Sequence, residues 1–361
     1  MNAEDQVGNI FKRVGRWVKT HRLHTIVIIG VILIAAAASV AFAILSQSAP
    51  KVETVKTTPK PKPAPKFYSL LDGRQVADEA AQKSAVTAIM IENSPDARPQ
   101  SGIKQAEVVY EAIAEGGITR FLCLYQQNKP GLIGPVRSLR MYYVDWAAPY
   151  RASFAHIGGS AAALAEVRNG THRDIDQFFN AGSYWRAGDR AAPHNVYTSF
   201  ERLDALNTQK GFATSEFSSF PRADMKPADT PNATSITVQI SSPLYNSHYS
   251  YDAASNTYLR DQGDAPHMDR EEGQVSPSVV VALKVNMEKV MEDGWRESIA
   301  TAGTGQAYVF QNGTVTEVTW SKSDRMRPLK LTDADGKEIS LGRGQTWITA
   351  VPNGSGNVSW Q

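Results

Sequence analysis

One feature constrains this chain more than any other: an apolar run of 21 residues without a charged side chain, at positions 25–45. As a helix it would be about 30 Å long, which matches the hydrocarbon core of a bilayer. Five basic residues precede it against Glu4 and Asp5, and this flanking charge predicts a cytoplasmic N-terminus. We therefore expect a basic cytoplasmic segment over 1–24, a transmembrane helix over Thr25–Leu45, and a single-pass cell-membrane protein with an extracytoplasmic bulk.

A cleaved signal peptide is the alternative interpretation, because Ala41-Phe42-Ala43 has the small residues of a cleavage site. The apolar run is longer than the usual stretch of about 7–15 residues in signal peptides, which favours an uncleaved anchor. The run contains no cysteine, so lipid attachment within it is excluded. The single cysteine, Cys123, lies in another apolar stretch and is predicted to be a buried small hydrophobe.

Composition divides the rest of the chain into a spacer and a folded body. Residues 46–66 hold five prolines and five lysines with little to bury, which predicts an extended Pro/Lys-rich linker. Residues 67–361 hold 28 basic and 33 acidic side chains. A mildly acidic body lacks the basic face of a nucleic-acid binder, so no nucleic-acid partner is expected.

Residues 67–222 are predicted to form an N-terminal domain of mixed α/β type, because short apolar runs alternate with turn and cap signals. Strands are expected at 87–91, 108–114, 118–125 and 152–157, with Glu115-Gly116-Gly117 as a hairpin turn. Ser160 is the expected N-cap of a helix over 161–167. Residues 198–201 (Thr-Ser-Phe-Glu) resemble a capping box for a helix that ends near Gln209.

Residues 221–234 are rich in proline and polar side chains and mark a domain boundary. The C-terminal domain, 235–361, is predicted to be mainly antiparallel β. Asn312-Gly313 and Asp335-Gly336 are hairpin turn signals, and residues 347–351 are expected to complete a meander. The predicted fold class is therefore α+β, with an N-terminal transmembrane helix ahead of the two domains.

Several long stretches resemble the YerB-like family of bacterial surface lipoproteins. They are residues 91–121, 134–147, 156–160 and 190–199, with 258–269 and 342–352 similar to the C-terminal part of that family. The resemblance covers about 67–352. It implies paired N- and C-terminal domains of unknown function at the bacterial surface, and no particular reaction. Members usually carry a lipid-modified N-terminal cysteine, which this chain replaces with the apolar helix.

A first candidate site is an anion site at the turn Gly158-Gly159-Ser160. Free backbone N–H groups at a helix start favour an anion, and His156 lies two residues before the turn. Arg137 and Arg140 follow a Gly-Pro bend, and guanidinium groups suit phosphate or carboxylate. The alternative is an ordinary strand–helix turn with arginines paired to nearby acids.

A second candidate is a set of acids comprising Glu92, Glu111, Glu115 and Asp145. Glu111 falls inside an apolar strand pattern, so it needs Arg120, another partner or a functional role. Carboxylate pairs can act as general acid and base in glycan cleavage. The alternative is structural pairing with Arg98, Arg120 or Arg137.

A third candidate is a set of loop histidines beside prolines, His194 (next to Asn195) and His267. Together with His156 and Asp269 they could converge as a metal or acid–base set. No recognised ligand spacing is present, so no metal and no cofactor is predicted. The signatures of serine hydrolases with a nucleophile elbow, of P-loop proteins and of dinucleotide-binding enzymes are absent from the sequence.

The leading hypothesis is a cell-envelope protein that binds an anionic or glycan envelope polymer or a partner protein. The alternative is an envelope enzyme acting on a glycan or a phosphodiester, which requires His156, His194, Arg137 and one acid to line a single cleft. The catalytic candidates are Glu92, Glu111, Asp145, His194 and His267. The binding candidates are Arg98, Arg120, Arg137, Arg140, His156, Gly158, Gly159, Ser160 and Asn195. Tyr142, Trp146 and Tyr150 share helical spacing and are predicted to pack.

Overall fold

The computed structural model describes residues 3–47, 65–289 and 297–361. The chain divides into two compact units, Met1–Ala64 and Pro65–Gln361. Most of the predicted Pro/Lys-rich linker, 46–66, lies outside the described residues. The helices are α1 Ala3–Thr20, α2 Arg22–Gln47, α3 Glu79–Gln82, α4 Met141–Ala147, α5 Ala161–Val167 and α6 Phe200–Gln209.

The strands of the second unit are mostly short, and the long ones cluster in three sequence regions. They are β1 Phe67–Tyr68, β2 Gln75–Val76, β3 Thr87–Glu92, β4 Val108–Glu115, β5 Ile118–Tyr125, β6 Ser153–Ala155, β7 Arg173–Asp174, β8 Trp185–Arg186, β9 Val196–Tyr197, β10 Arg222–Ala223, β11 Ser235–Gln239, β12 Ser247–Asp252, β13 Thr257–Gln262, β14 Ala265–Pro266, β15 Met268–Asp269, β16 Gly273–Gln274, β17 Val279–Val285, β18 Met287–Lys289, β19 Glu297–Ile299, β20 Gly303–Gln311, β21 Thr314–Lys322, β22 Lys330–Thr332, β23 Leu341–Gly342, β24 Thr346–Pro352 and β25 Asn357–Trp360. The unit is therefore a mixed α+β fold in which sheet predominates.

In the first unit, helix α2 contains the predicted transmembrane run. Its segment Arg22–Ser46 is 25 residues long and apolar enough to cross a membrane. The preceding helix α1 occupies the segment predicted only as basic. Its apolar side chains recur at helical spacing from Val7 through Ile10 and Phe11 to Val14 and Trp17, the periodicity of an amphipathic helix.

A ten-stranded mixed sheet forms the frame of the second unit, in the order β22-β21-β20-β17-β24-β4-β5-β3-β6-β7. Strand β24 lies between β17 and β4 and is parallel to both. The predicted meander at 347–351 is therefore wrong. Every residue of β24 is buried, as expected for a central strand covered on both faces rather than for a half-exposed hairpin strand. Sequence regions 67–222 and 235–361 share this one sheet.

The two faces of the sheet are covered by different elements. One face packs against α4, whose Tyr142 and Trp146 are buried as predicted, and Trp146 stacks on Tyr110 with ring centroids 5.4 Å apart. The other face packs against α6 and a five-stranded sheet of order β14-β13-β12-β11-β25. The predicted hairpins at Glu115-Gly116-Gly117 and Asn312-Gly313 are confirmed.

Side-chain caps fix the starts of two helices beside the sheet. Ser160 caps α5, as predicted, by accepting a hydrogen bond from the amide of Ala163 at 3.4 Å. Helix α6 ends at Gln209 as predicted, but its cap is Ser199, which accepts from the amide of Arg202. The capping-box prediction starting at Thr198 is wrong by one residue, because the Thr198 hydroxyl donates to the carbonyl of Ser183 instead.

Candidate functional site

Polar side chains gather at one edge of the large sheet. Strands β3 and β6 are parallel, and the antiparallel β5 lies between β3 and β4, so β3, β4 and β6 end at the same edge, where β5 begins. Glu92 ends β3, Glu115 ends β4, His156 follows β6, and Arg120 pairs with Glu92 across the strands. Loops at the carboxyl ends of parallel strands are common ligand sites in sheets of this kind.

Glu92, Arg137 and His194 form the centre of this edge. The Glu92 carboxylate is almost fully buried, and its Oε1 lies 2.9 Å from His194 Nδ1 and 3.1 Å from Arg137 Nε. The Ser94 hydroxyl donates to the same oxygen at 2.9 Å. The structure thus brings together three of the predicted site residues, one acid, one cation and one histidine.

Each member of this cluster has unused hydrogen-bonding capacity. Within the described part of the chain, Glu92 Oε2 and Arg137 Nε are buried without a hydrogen-bond partner, so the 3.1 Å contact of Arg137 with Glu92 is an ion pair without hydrogen-bond geometry. The two terminal nitrogens of Arg137 have no hydrogen bond or ion pair among the described residues. With Nδ1 of His194 donating to Glu92, its Nε2 is the acceptor nitrogen of the ring. The nearest acid to that Nε2 is Asp96, at 4.0 Å. Arg137 and His194 are half-buried, and both are positioned by the Glu92 carboxylate. The terminal nitrogens of Arg137 and Nε2 of His194 therefore remain available to a ligand.

Glu115, Arg120 and Arg140 form a second cluster at the same edge. Arg120 and Arg140 both donate to the Glu115 carboxylate, Arg120 at 2.9 Å. Burial raises the pKa of Glu115, but the charges of Arg120 and Arg140 outweigh burial and leave its pKa below the usual value. Arg120 also donates to the carbonyl of Ser138 at 2.8 Å. One carboxylate thus fixes two arginines, and the cluster keeps an excess positive charge.

A cavity of about 570 Å³ adjoins Arg140 and Ser160. The predicted catalytic acid Asp145 lies in its wall, where Oδ1 accepts from Arg325 at 2.6 Å and Oδ2 from Thr301 at 2.7 Å. Both Asp145 oxygens therefore have partners. Nearby, burial lowers the pKa of Lys322 to about 8, and its ammonium donates to three backbone carbonyls of the 324–327 loop.

Glu111 lies in the core rather than at the edge. Its Oε2 accepts from Arg260 and from the indole of Trp347, both at 2.9 Å, and neither Glu111 nor Arg260 is exposed. The Arg260 guanidinium also lies 4.5 Å from the Trp347 ring. The partner of Glu111 is therefore not Arg120, and this arrangement is a structural ion pair.

His267 is linked to this buried pair. Its Nδ1 accepts from Arg260, and its Nε2 lies 3.0 Å from Gln100 Oε1. Burial, followed by the charges of Arg260 and Arg98, holds the pKa of His267 well below its usual value. Gln100 in turn donates to the carbonyl of Glu92 at 3.0 Å, so it connects the core pair to the edge cluster.

The other predicted site residues have structural partners. Arg98 bonds Asn93 and the carbonyl of Leu244, and Asn195 bonds Arg186 and two loop carbonyls. His156 is fully buried, between the carbonyl of Gly158 at 2.8 Å and Asp174 at 3.1 Å. Leu139 pairs with Gly158 and Ser160 through the backbone, so two groups of the glycine turn are already used.

The histidines do not converge into one set. His156, Asp174 and Asp176 offer ligand atoms within 4.8 Å of one another. Arg168 is placed as a counter-ion for both carboxylates, 2.7 Å from Asp176 and 3.6 Å from Asp174. A guanidinium in that position supplies the positive charge that a cation would otherwise bring.

Sequence reasoning missed Arg260, Gln100 and Trp347. Arg260 had a readable signal: in β13 it alternates in phase with the buried Tyr258 and Gln262, so the two-residue period of a strand predicts that it points inward. Gln100 and Trp347 had no comparable signal, because their roles depend on contacts with distant parts of the chain.

Comparison with known proteins shows which family the chain is related to. The protein-family model described as "Protein of unknown function (DUF3048) N-terminal domain" matches residues 71–213, and the family model of the corresponding C-terminal domain matches residues 236–348. "Putative lipoprotein YerB" of Bacillus subtilis (strain 168) is 31% identical over 299 residues, which is 81% of this chain and 88% of the relative. The chain belongs to the YerB-like family.

A crystal structure of YerB protein from Bacillus subtilis agrees with this assignment. It has a TM-score of 0.72 and 28% identity, and the match covers 81% of this chain and 99% of that chain. The family resemblance expected from the sequence is thus confirmed. The relative is named as a lipoprotein, whereas the only cysteine of this YerB-like chain, Cys123, is buried in β5.

Proposed function

We propose that this YerB-like protein is a single-pass membrane protein with a cytoplasmic N-terminus and an extracytoplasmic second unit. Two observations support the proposal. The Arg22–Ser46 helix is long and apolar enough to span a bilayer, and basic residues precede it. The helix would replace the lipid anchor that the name of the relative implies.

Protease added to intact cells with an accessible outer surface tests this topology. We expect the second unit to be degraded and a fragment containing α1 and α2 to stay with the membrane. Full protection of the second unit, or recovery of the full-length chain in the soluble cell fraction, would contradict the proposal.

We further propose that the second unit binds an anionic group of an envelope polymer at Glu92, Arg137 and His194. The observation that carries this proposal is the state of Arg137. Its Nε lies 3.1 Å from Oε1 of the buried Glu92 carboxylate and is positioned by this ion pair rather than by a hydrogen bond, while its terminal nitrogens have no hydrogen-bond or ion-pair partner within the described residues. A guanidinium fixed in this way is pre-organised for two parallel bonds to a phosphate or a carboxylate.

The neighbouring groups suit a polymer that carries hydroxyl groups as well as charge. His194 Nε2 can accept a hydrogen bond from a ligand hydroxyl. The backbone from Arg137 to Arg140 leads from this cluster to the cavity of about 570 Å³. That cavity has room for a further residue of the polymer beside Arg140 and Ser160.

A binding assay with the full-length chain in detergent micelles tests this site. The probes are purified envelope fragments of two kinds, a phosphate-bearing polyol polymer and a carboxylate-bearing glycan, titrated at low ionic strength. We expect one of them to bind and Arg137→Gln to weaken binding at least about tenfold, the loss expected for a charge-assisted hydrogen bond.

Arg327→Gln is the matched control, because the Arg327 side chain is 72% exposed and its Asp324 partner lies 3.7 Å away on the surface. The control should bind as the unmodified chain does. Absence of binding to both polymers, or equal binding by the Arg137→Gln and Arg327→Gln variants, would overturn the proposed site.

A second candidate function, an envelope enzyme, is favoured by one contact. Glu92 Oε1 orients His194 through Nδ1 at 2.9 Å, which leaves Nε2 available to accept a proton from a substrate or water. Arg137 would stabilise negative charge that develops on a phosphoryl or acyl group. His156, which the cleft hypothesis also required, is buried and bound to Asp174.

Turnover distinguishes the two functions. If the protein is an enzyme, the bound polymer is cleaved or modified, and His194→Gln abolishes the reaction even at polymer concentrations that saturate the variant. If it is a binding protein, the polymer is recovered intact after prolonged incubation.

A further inference from the structure

Helix α1 is strongly amphipathic. One face carries the large apolar side chains Val7, Ile10, Phe11, Val14 and Trp17, each 47–72% exposed. At about 100° per residue these positions fall within an arc of about 120°. An exposed apolar stripe of this kind, about three turns long, indicates a surface that is covered in the working protein.

The opposite face of α1 is cationic. Lys12, Arg13, Arg16 and Lys19 occupy an arc of about 120° centred opposite the apolar face. The acids of the helix are confined to its first turn, at Glu4 and Asp5. The combination of one apolar face and one polar face that carries all four cations of the helix is typical of helices that lie in a membrane interface and bind anionic lipids.

The position of α1 in the chain also favours a membrane surface. Only His21 separates α1 from α2, the apolar helix. Trp17 lies near this junction and stacks on His21 with ring centroids 5.0 Å apart. Tryptophan is enriched where helices meet the bilayer interface.

We propose that α1 lies in the plane of the membrane on an anionic lipid surface. Its apolar face is inserted at the boundary of head groups and acyl chains, and its lysines and arginines contact lipid phosphates. The proposal rests on the membrane topology proposed above, because it needs α2 to hold the junction at the bilayer. It does not depend on the ligand site at Glu92.

Charge complementarity favours lipid over a second copy of the helix. A pair of α1 helices would cover the apolar stripes but leave all the cations without partners. Near an anionic bilayer, each lysine or arginine instead raises the affinity of the helix for the membrane roughly fivefold. The apolar stripe and the basic face are used together only at the membrane.

Spin labels in the full-length chain, reconstituted in vesicles, test the proposal. The labels are attached to single introduced cysteines at Phe11→Cys on the apolar face, Asn9→Cys on the polar face, and Ala36→Cys within α2. Native Cys123 is kept, since it is buried and takes no label. Accessibility to oxygen and to a water-soluble nickel complex gives the depth of each label.

In vesicles with anionic lipid, we expect the label at position 11 to be immersed and the label at position 9 to face water. The ratio of immersed to water-exposed label at position 11 should be at least about fivefold higher than in neutral vesicles. Replacing Lys12, Arg13, Arg16 and Lys19 together by glutamine should remove this difference.

Three results would overturn the inference, and they are distinguishable. If the label at position 36 is not at the bilayer centre, the membrane topology itself fails. If position 36 is central but positions 9 and 11 are equally accessible to water, α1 does not bind the surface. If position 11 is shielded equally in neutral vesicles and shows spin–spin broadening, a second copy covers the apolar face instead.

Discussion

The buried pair of Glu111 and Arg260 offers the sharpest test of how the second unit is held together. Glu111 lies in β4 and Arg260 in β13, 149 positions apart in the chain, and neither side chain is exposed. Glu111→Gln would leave the Arg260 guanidinium buried without a counter-ion. Removing one member of such a pair typically costs about 3–5 kcal/mol of the free energy of unfolding.

The contacts of the pair set the size of this effect. Arg260 also bonds Tyr249 at 3.2 Å, Gln262 at 3.3 Å and His267, so the cationic side chain is held in place after Glu111 is changed and cannot reach water. Arg260→Met should cost a similar amount, because the Glu111 carboxylate then keeps only Trp347 and Thr119 as donors. The double variant carries neither charge, and its cost should fall below the sum of the two by at least about 2 kcal/mol.

Urea unfolding of the full-length chain in detergent, followed by tryptophan fluorescence, measures these differences. The midpoint should move while the slope stays unchanged, since the pair joins sequence regions that share one sheet and unfold together. Asp204→Asn, which removes a half-exposed partner of Lys129, is the control and should cost less than about 1 kcal/mol. The reasoning is refuted if both single variants cost less than the control, or if their costs simply add.

Three further predictions concern single residues of the second unit. In the folded chain the pKa of His267 is below its usual value, so as the pH falls the unfolded chain binds the proton first. At pH values below about 6.5 the free energy of unfolding should therefore decrease, by up to about 1.4 kcal/mol per pH unit. Urea titrations at about pH 7 and about pH 5 measure this decrease, and the His267→Asn variant should lack it. Ser199→Ala should cost about 1 kcal/mol by removing the α6 cap, as the shift in urea midpoint will show. Cys123 is buried and its pKa is raised, first of all by burial, so a thiol reagent should modify it only after unfolding; rapid modification of the folded chain would contradict that placement.

Local signals in the sequence predicted local structure well. The turns at Glu115-Gly116-Gly117 and Asn312-Gly313 depend on the conformational preferences of a few neighbouring residues, and both hairpins formed where expected. The start of α5 was predictable for the same reason, because a serine hydroxyl reaches only the next turn of backbone. In such cases the residues that decide the structure are adjacent in the chain.

The position of β24 could not be predicted in this way. Its apolar run fits any strand that is covered on both faces, and the choice of partners depends on the whole sheet. The same limit applies to the candidate site. Glu92 was identified as one of a set of acids and His194 as a loop histidine beside a proline. Their contact joins positions 102 residues apart and depends on how the 190–199 loop folds back.

Gln100 connects the buried Glu111–Arg260 pair to the Glu92 cluster, so its effect on ligand binding can be measured separately from its effect on stability. Its Nε2 donates to the Glu92 carbonyl and to Asn93 Oδ1, at 3.0 and 3.1 Å, while its Oε1 faces His267 Nε2. Gln100→Leu removes all three contacts and leaves buried polar groups unpaired, at a cost of about 1–3 kcal/mol each. Because Glu92 fixes Arg137 and His194, polymer binding should weaken although Gln100 touches no ligand.

The matched control for Gln100→Leu is Leu331→Ala, in β22 at the far end of the sheet order, where a buried side chain is truncated at a cost of about 2–5 kcal/mol. Both variants should unfold at lower urea concentration, but only Gln100→Leu should raise the Kd for the polymer. Equal affinities in the two variants would mean that the edge cluster holds its geometry without the C-terminal region. In that case the contacts through Arg260 and His267 serve the core alone.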